Sequence, residues 1–405
     1  MRWVWLICSV LLLPGALLTV VGAWNVTMWK AAIVAGEYGH YAGVLAFLLI
    51  CGALAHALVM ESGRREWVQT GVTVAVALVA MGLYFSPVVF AGMVSRGLPR
   101  KLETTLSATG VPRSVLNYRR LFLPGPAAEV RPVTTHIFAR AGTPEPLALD
   151  VYEAASAGAP APGVVMIHGG GWDSGSRSEL EAFNHWLANE GFAVVAIDYR
   201  LAPAHPWPAQ RDDVEAALTW LQAHAEELRI DATRIVLMGR SAGAQIASAV
   251  GYGFEDPAIR GIVALYGVFD MEFVWSISRE DDVLNSVRLM EQYLGGAPTA
   301  ANQTAYDSAS AQGMVRGPEF TPPTLLIHGA MDTLCWVEHS RRLARRLEQA
   351  GVPAIMVELP WATHAFDYNS RGPGGQLTAF SVRHFLRAVF TQDFREEARR
   401  ELLNE

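Results

Sequence analysis

The sequence predicts an α/β fold, a mostly parallel sheet with helices on both faces and a cap insertion, preceded by an all-α region of three transmembrane helices. Three observations predict it. Beyond residue 130, short apolar runs alternate with stretches of helical periodicity; the pentapeptide Gly239-Arg240-Ser241-Ala242-Gly243 falls between one such run and one such helix; and three long uncharged stretches crowd into the first 94 residues. Strand–helix alternation is the pattern of a parallel sheet buried on both faces.

The N-terminal stretches account for a composition that is 51% hydrophobic and only 18% charged, against roughly 25% charged in ordinary soluble domains. Residues 3–23, 42–60 and 71–94 contain no Asp, Glu, Lys or Arg, and each is about the length a bilayer requires. Trp24, Trp29, Tyr38, Tyr41 and Trp67 sit near their ends, as interfacial anchors do. Buried core helices are the alternative, and three of them so close together argue against it. A cleaved signal peptide ending at Val21-Gly22-Ala23 is an alternative for the first stretch alone. These stretches predict an integral, multi-pass membrane protein. Arg2, Arg64 and Arg65 oppose Lys30 across the spans and favour an N-terminus inside, with the larger domain on the extracytoplasmic side; Arg96, Arg100 and Lys101 pull the other way. His56, alone among apolar residues, reads as a hydrogen-bonding group within the bundle rather than a proton path.

A net charge of −7 without a basic stripe excludes nucleic acid as a partner. Cys8, Cys51 and Cys335 offer no disulfide framework. Residues 96–127, rich in Pro and mixed charge, read as a linker. A hairpin follows, 136–140 and 147–152 about Gly-Thr-Pro-Glu-Pro, opening a catalytic domain over 128–392. Its further strands are expected at 164–167, 193–197, 235–238, 262–266, 324–327 and 354–358, with helices at 209–226, 241–250, 337–350 and 377–390. Val214, Leu218 and Leu221 recur on one helical face. Residues 393–405 form a charged helical tail.

A G-x-S-x-G sequence at a strand-to-helix turn exposes its serine at the N-terminus of a helix, and glycines flank it because side chains there would strike neighbouring strands. Ser241 is therefore the candidate nucleophile. A serine hydroxyl needs a base, and the base needs an acid to orient it. Chain order and loop position select Asp332 over Glu338 and Asp367 as the acid, and His364 over His328, His339 and His205 as the base. The tetrahedral oxyanion requires fixed donors. The backbone N–H of Ala242 supplies one, and the run His168-Gly169-Gly170-Gly171 after an apolar strand supplies the other, through Gly169 and Gly170. His168 is expected to hold that loop rather than to react.

His168-Gly169-Gly170-Gly171-Trp172, the GxSAGA turn, Asp198-Tyr199-Arg200-Leu201-Ala202-Pro203, the HGxxD at 328–332 and the late His364 resemble the α/β-hydrolase carboxylesterases and lipases of the hormone-sensitive-lipase type. The resemblance covers residues 130–392 and implies an eight-stranded core, a Ser241–Asp332–His364 triad and no metal or organic cofactor. Arg240 and Ala244 depart from the family's usual pattern. An insertion over 267–322 is placed to cap the serine, and Trp172, Phe269 and Trp275 are candidates for an apolar substrate pocket. Three functions compete: a membrane-anchored esterase for lipophilic esters; a membrane-bound hydrolase of an arylformamide or a prenylcysteine methyl ester; and a hydrolase-fold scaffold without chemistry, which the complete set of triad residues disfavours.

Overall fold

The computed structural model describes every residue except 1, 61, 124, 126–128, 141, 143, 144, 156, 157 and 405. Eight strands form one sheet: β1 (Val133–Ala139), β2 (Leu147–Tyr152), β3 (Ala161–Ile167), β4 (Ala193–Ile197), β5 (Ile230–Arg240), β6 (Ile259–Leu265), β7 (Thr324–Gly329) and β8 (Ala354–Leu359). Their order is β1-β2-β4-β3-β5-β6-β7-β8. β2 pairs antiparallel with both β1 and β4, and every pairing from β4 through β8 is parallel. All five residues of β4 and all six of β7 are buried, which is why these strands read as unbroken apolar runs rather than alternating ones. The hairpin joining β1 to β2 is present; two of its expected turn residues, 143 and 144, lie outside the described residues.

Register converts this topology into a site. Ile167, the last residue of β3, pairs with Gly239 near the end of β5, and His328 and Gly329 pair with Glu358 and Leu359 at the ends of β7 and β8. The loops leaving these four strands therefore emerge side by side at the carboxyl edge, where open α/β sheets place their ligands. Helices at Ala209–His224, Ala242–Gly253, Glu338–Gln349 and Pro373–Thr391 cover the sheet, within three or four residues of the expected limits.

The N-terminal region holds three helices, α1 (Arg2–Leu17), α2 (Val26–Val59) and α3 (Arg64–Leu106). Two expectations are corrected here. The first apolar stretch forms a helix of only 16 residues, with Pro14 inside it, then breaks into tight turns in which Leu18 N–H donates to Gly15 O and Thr19 N–H to Ala16 O. It falls short of the roughly 20 residues a bilayer needs. Among the described residues, two helices rather than three are long and apolar enough to cross a membrane, by length and composition.

The second correction concerns residues 96–106, expected as linker. They continue α3 past Pro87 and Pro99. Leu98, Leu102 and Leu106 recur every four residues, are buried, and join the core that contains Val164, Ile355 and Val357 of the sheet. Burying three leucines contributes about 5–9 kcal/mol at the usual value per side chain, more than the roughly 3 kcal/mol a helical proline costs. The helix wins. Further back, α2 and α3 turn Val44, Leu48, Leu58, Val68, Val72 and Val79 outward, an apolar surface without a protein partner among the described residues.

Candidate active site

β5 ends at Arg240 and the helix Ala242–Gly253 begins two residues later, so the chain reverses at Ser241 with φ 53° and ψ −121°. A non-glycine residue held at such angles is strained and persists only where its surroundings impose it. The flanking glycines show what imposes it. A Cβ at Gly239 would lie 2.1 Å from Gly243 O, and one at Gly243 would lie 2.1 Å from Ile167 O. Ser241 N–H donates to Leu265 O at 2.9 Å, tying the turn to β6.

Beside it runs the triple-glycine loop. Gly170 has φ 112°, and a Cβ there would come within 2.2 Å of Ser174 O, so no other residue fits without moving the backbone. Gly169 N–H is already engaged: it donates to Glu179 Oε2 at 2.8 Å. Gly170 N–H and Ala242 N–H make no backbone hydrogen bond among the described residues, the latter because the first turn of a helix has no intrahelical acceptors for its donors. His168 stacks on Tyr199, its ring 4.1 Å away, with Nδ1 2.7 Å from Gly169 O. Burial lowers its pKa, in keeping with a neutral ring that holds the loop. Arg200 is bound by Asp213 at 2.8 Å and does not line the cavity beside Ser241.

His364 Nδ1 lies 2.7 Å from Asp332 Oδ2. The other carboxylate oxygen accepts from the N–H groups of Leu334 and Cys335, both at 2.9 Å. Burial alone would raise the Asp332 carboxyl; the rings of His364 and His328 outweigh it and hold the group well below the usual carboxylate range. The competing residues have other partners. His328 is fully buried between Ser340 Oγ and Cys335 O, His205 faces Glu145, and Glu338 is bound to arginines of its own helix. Burial drives His339 down to about 3. Burial also raises the Cys335 thiol well above its ordinary value, which keeps it protonated.

Asp367 belongs to a buried network that the sequence pattern did not reveal. Arg240 Nε donates to Asp367 Oδ2 and Tyr266 OH donates to Asp367 Oδ1, each at 2.6 Å. Burial and the nearby carboxylate push the Tyr266 hydroxyl far up, so it remains a donor. Its ring lies 4.4 Å from that of His364. Arg240, the departure from the family pattern, thus links the serine turn to the loop carrying the histidine.

Ser241, His364, Gly169 and Gly170 line one cavity of about 260 Å³. The three aromatic residues expected around it do not. Trp172, at φ 65°, turns inward, stacks on Tyr293 at 4.3 Å and donates its indole N–H to Gln245 Oε1. Phe269 is fully buried in the core, and Trp275 packs against the same core. Position within the insertion said nothing about which face each residue presents. The insertion's contribution is instead Leu284, Arg288 and Leu289, from the segment around its helix Ser286–Leu294. Trp29, from α2, also lines it. Among the described residues no cluster of three or more His, Cys, Asp or Glu could hold a metal ion.

Residues 149–347 match the family model BD-FAE. The crystal structure of esterase LipW from Mycobacterium marinum superimposes with a TM-score of 0.54 at 25% identity, covering 75% of this chain and 90% of that one. The fold is that of the α/β-hydrolase esterases. Two curated relatives from Mycobacterium tuberculosis are similar to part of this chain. The probable carboxylic ester hydrolase LipM is 31% identical over 245 residues, 57% of this chain and 55% of LipM. Esterase LipC is 29% identical over 245 residues, 57% of this chain and 59% of LipC. The chain therefore spans little more than half the length of these relatives.

Proposed function

We propose that the protein is a membrane-anchored serine hydrolase that cleaves carboxylic esters of apolar acyl or aryl groups through an acyl-enzyme. The observation that carries this reading is the convergence of a strained Ser241 and an Asp332-bound His364 on one cavity. His364 takes the Ser241 proton as Oγ attacks the ester carbonyl, then returns it to the departing alcohol; water repeats the sequence to release the acid. Asp332 holds the imidazole in the tautomer with its proton on Nδ1 and stabilises the imidazolium. The developing oxyanion is met by Ala242 N–H and Gly170 N–H. Gly169, engaged by Glu179, shapes the loop instead. Each oxyanion donor is worth about 3–4 kcal/mol of transition-state stabilisation.

Leucines 284, 289 and 334 with Trp29 give the cavity apolar walls, which suits a lipophilic ester. The two long apolar helices are read as its anchor in the bilayer. The names of the relatives, carboxylic ester hydrolase and esterase, agree with the chemistry. A fluorophosphonate probe tests it without knowledge of the natural substrate. The detergent-solubilised protein is expected to label covalently and Ser241→Ala not at all, with ester turnover reduced about a millionfold. Asp332→Asn should fold yet lose about 10⁴-fold in kcat, because the imidazole then adopts the wrong tautomer. Equal labelling of the parent and Ser241→Ala would sink the proposal.

A further inference from the structure

The loop 361–374 carries His364 from β8 to the helix Pro373–Thr391, and α2 grips it at four points. Trp29 Nε1 donates to His364 O at 3.0 Å. Glu37 Oε1 accepts from Trp361 Nε1 at 3.2 Å, and Oε2 accepts from Gly374 N–H at 2.9 Å. The backbone oxygen of Glu37 accepts from Asn369 Nδ2 at 3.0 Å. One buried residue thus holds the loop before His364, after it, and at its far end. The loop is shaped to receive it: a Cβ at Gly374 would sit 2.7 Å from Glu37 Oε1, and one at Gly372 2.2 Å from Oε2.

A carboxyl group buried within a helix as apolar as this one is costly and calls for a reason. Anchoring does not supply one, since any apolar residue would anchor as well. The two donors do, because they approach opposite oxygens of one carboxyl group. An amide offers an acceptor to only one of them. Trp361 and Gly374 stand at the two ends of the histidine loop, so a single side chain sets its span.

We propose that Glu37 is a positioning residue for His364, so that α2 is a structural wall of the active site as well as a membrane segment. The inference rests on the reading of Ser241 and His364 as the reacting pair. Glu37 does not touch the substrate; it fixes where the imidazole stands relative to Ser241 Oγ. Misplacing a catalytic group by about 1 Å costs on the order of 100-fold in rate.

The test uses the full chain in detergent: parent, Ser241→Ala, Glu37→Gln and Glu37→Ala. Fluorophosphonate labelling rates and p-nitrophenyl ester kinetics are normalised to the sites that the probe titrates to completion. Glu37→Ala is expected to lose about 100-fold in both kcat and labelling rate, with KM within about twofold. Glu37→Gln, nearly isosteric and folded, should fall between, since it keeps one of the two acceptors. A purely structural role would lower the number of titratable sites and leave kcat per site unchanged, and that result in Glu37→Gln would overturn the proposal. If Glu37→Ala does not fold, Glu37→Gln decides alone. Failure of the parent itself to label at Ser241 would instead overturn the hydrolase reading.

Discussion

Residues 239–243 and residues 361–374 each bring one candidate catalytic side chain to the same cavity, and they are built in opposite ways. The serine turn closes within five residues and is shaped by backbone contacts, with Gly239 against Gly243 and Gly243 against Ile167. The histidine loop is three times as long and is held by side chains from elsewhere, Glu37 and Trp29 of α2 and Arg240 of the turn itself. A tight turn carries its own instructions. A long loop borrows its shape from whatever it packs against. Arg240–Asp367–Tyr266 joins the two through one buried ion pair and one phenol.

The largest effect expected from breaking this contrast is at the turn. Gly243→Ala places a methyl group against two backbone carbonyls that cannot yield, Ile167 O at 2.1 Å and His168 O at 2.4 Å. The expected outcome is loss of more than about 4 kcal/mol of stability and of all fluorophosphonate labelling, read by denaturant unfolding and gel fluorescence. Labelling at the parental rate would mean the turn is more pliant than its geometry indicates.

Next comes the joining pair. Asp367→Asn leaves the Arg240 guanidinium buried without its anion, and breaking such a pair costs about 3–5 kcal/mol. Arg240→Met with Asp367→Leu should recover most of that stability, since no charge is left unpaired. It should not recover kcat, because the turn and the loop are no longer fastened together. Recovery of both would show that the histidine loop needs nothing from Arg240.

The smallest effect sharpens the comparison by isolating the acid side of the site. His339, following the Asp332 loop, has its folded pKa lowered to about 3 by burial. Below the unfolded value of about 6.5 the unfolded chain takes up a proton that the folded chain refuses. Stability contributed by the neutral ring is therefore intact above that pH and is lost, at about 1 kcal/mol per pH unit, as the pH falls towards 3. His339→Gln should flatten the acid limb of stability over this window and leave neutral-pH kcat within about twofold. An unaltered acid limb would place the titrating group elsewhere.

The legibility of the chain follows the same division. The turn was readable because its chemistry lies within five residues, and the strands because burial on both faces leaves continuous apolar runs. Asp332 and His364 could be named as candidates because parallel strands deliver their loops to one edge in chain order. The aromatic pocket was misread at Trp172, Phe269 and Trp275, since composition does not say which way a ring faces. The end of α3 was misread at residue 94 because Pro99 looks like a stop until Leu98, Leu102 and Leu106 find the sheet. Glu37 left no signal, and Trp29 read as an interfacial anchor rather than a partner of His364; both stand more than 300 residues from the loop they hold.

Order along the chain was enough to specify the architecture, the serine turn and the candidates for acid and base, because each depends on neighbours a few residues away or on the regular alternation of strand and helix. The walls of the cavity, the engagement of Gly169 by Glu179, the fastening of Arg240 to Asp367 and the grip of α2 on the histidine loop arose only on packing. Most of these are contacts between segments remote in sequence, selected by buried donors that must find acceptors once water is excluded.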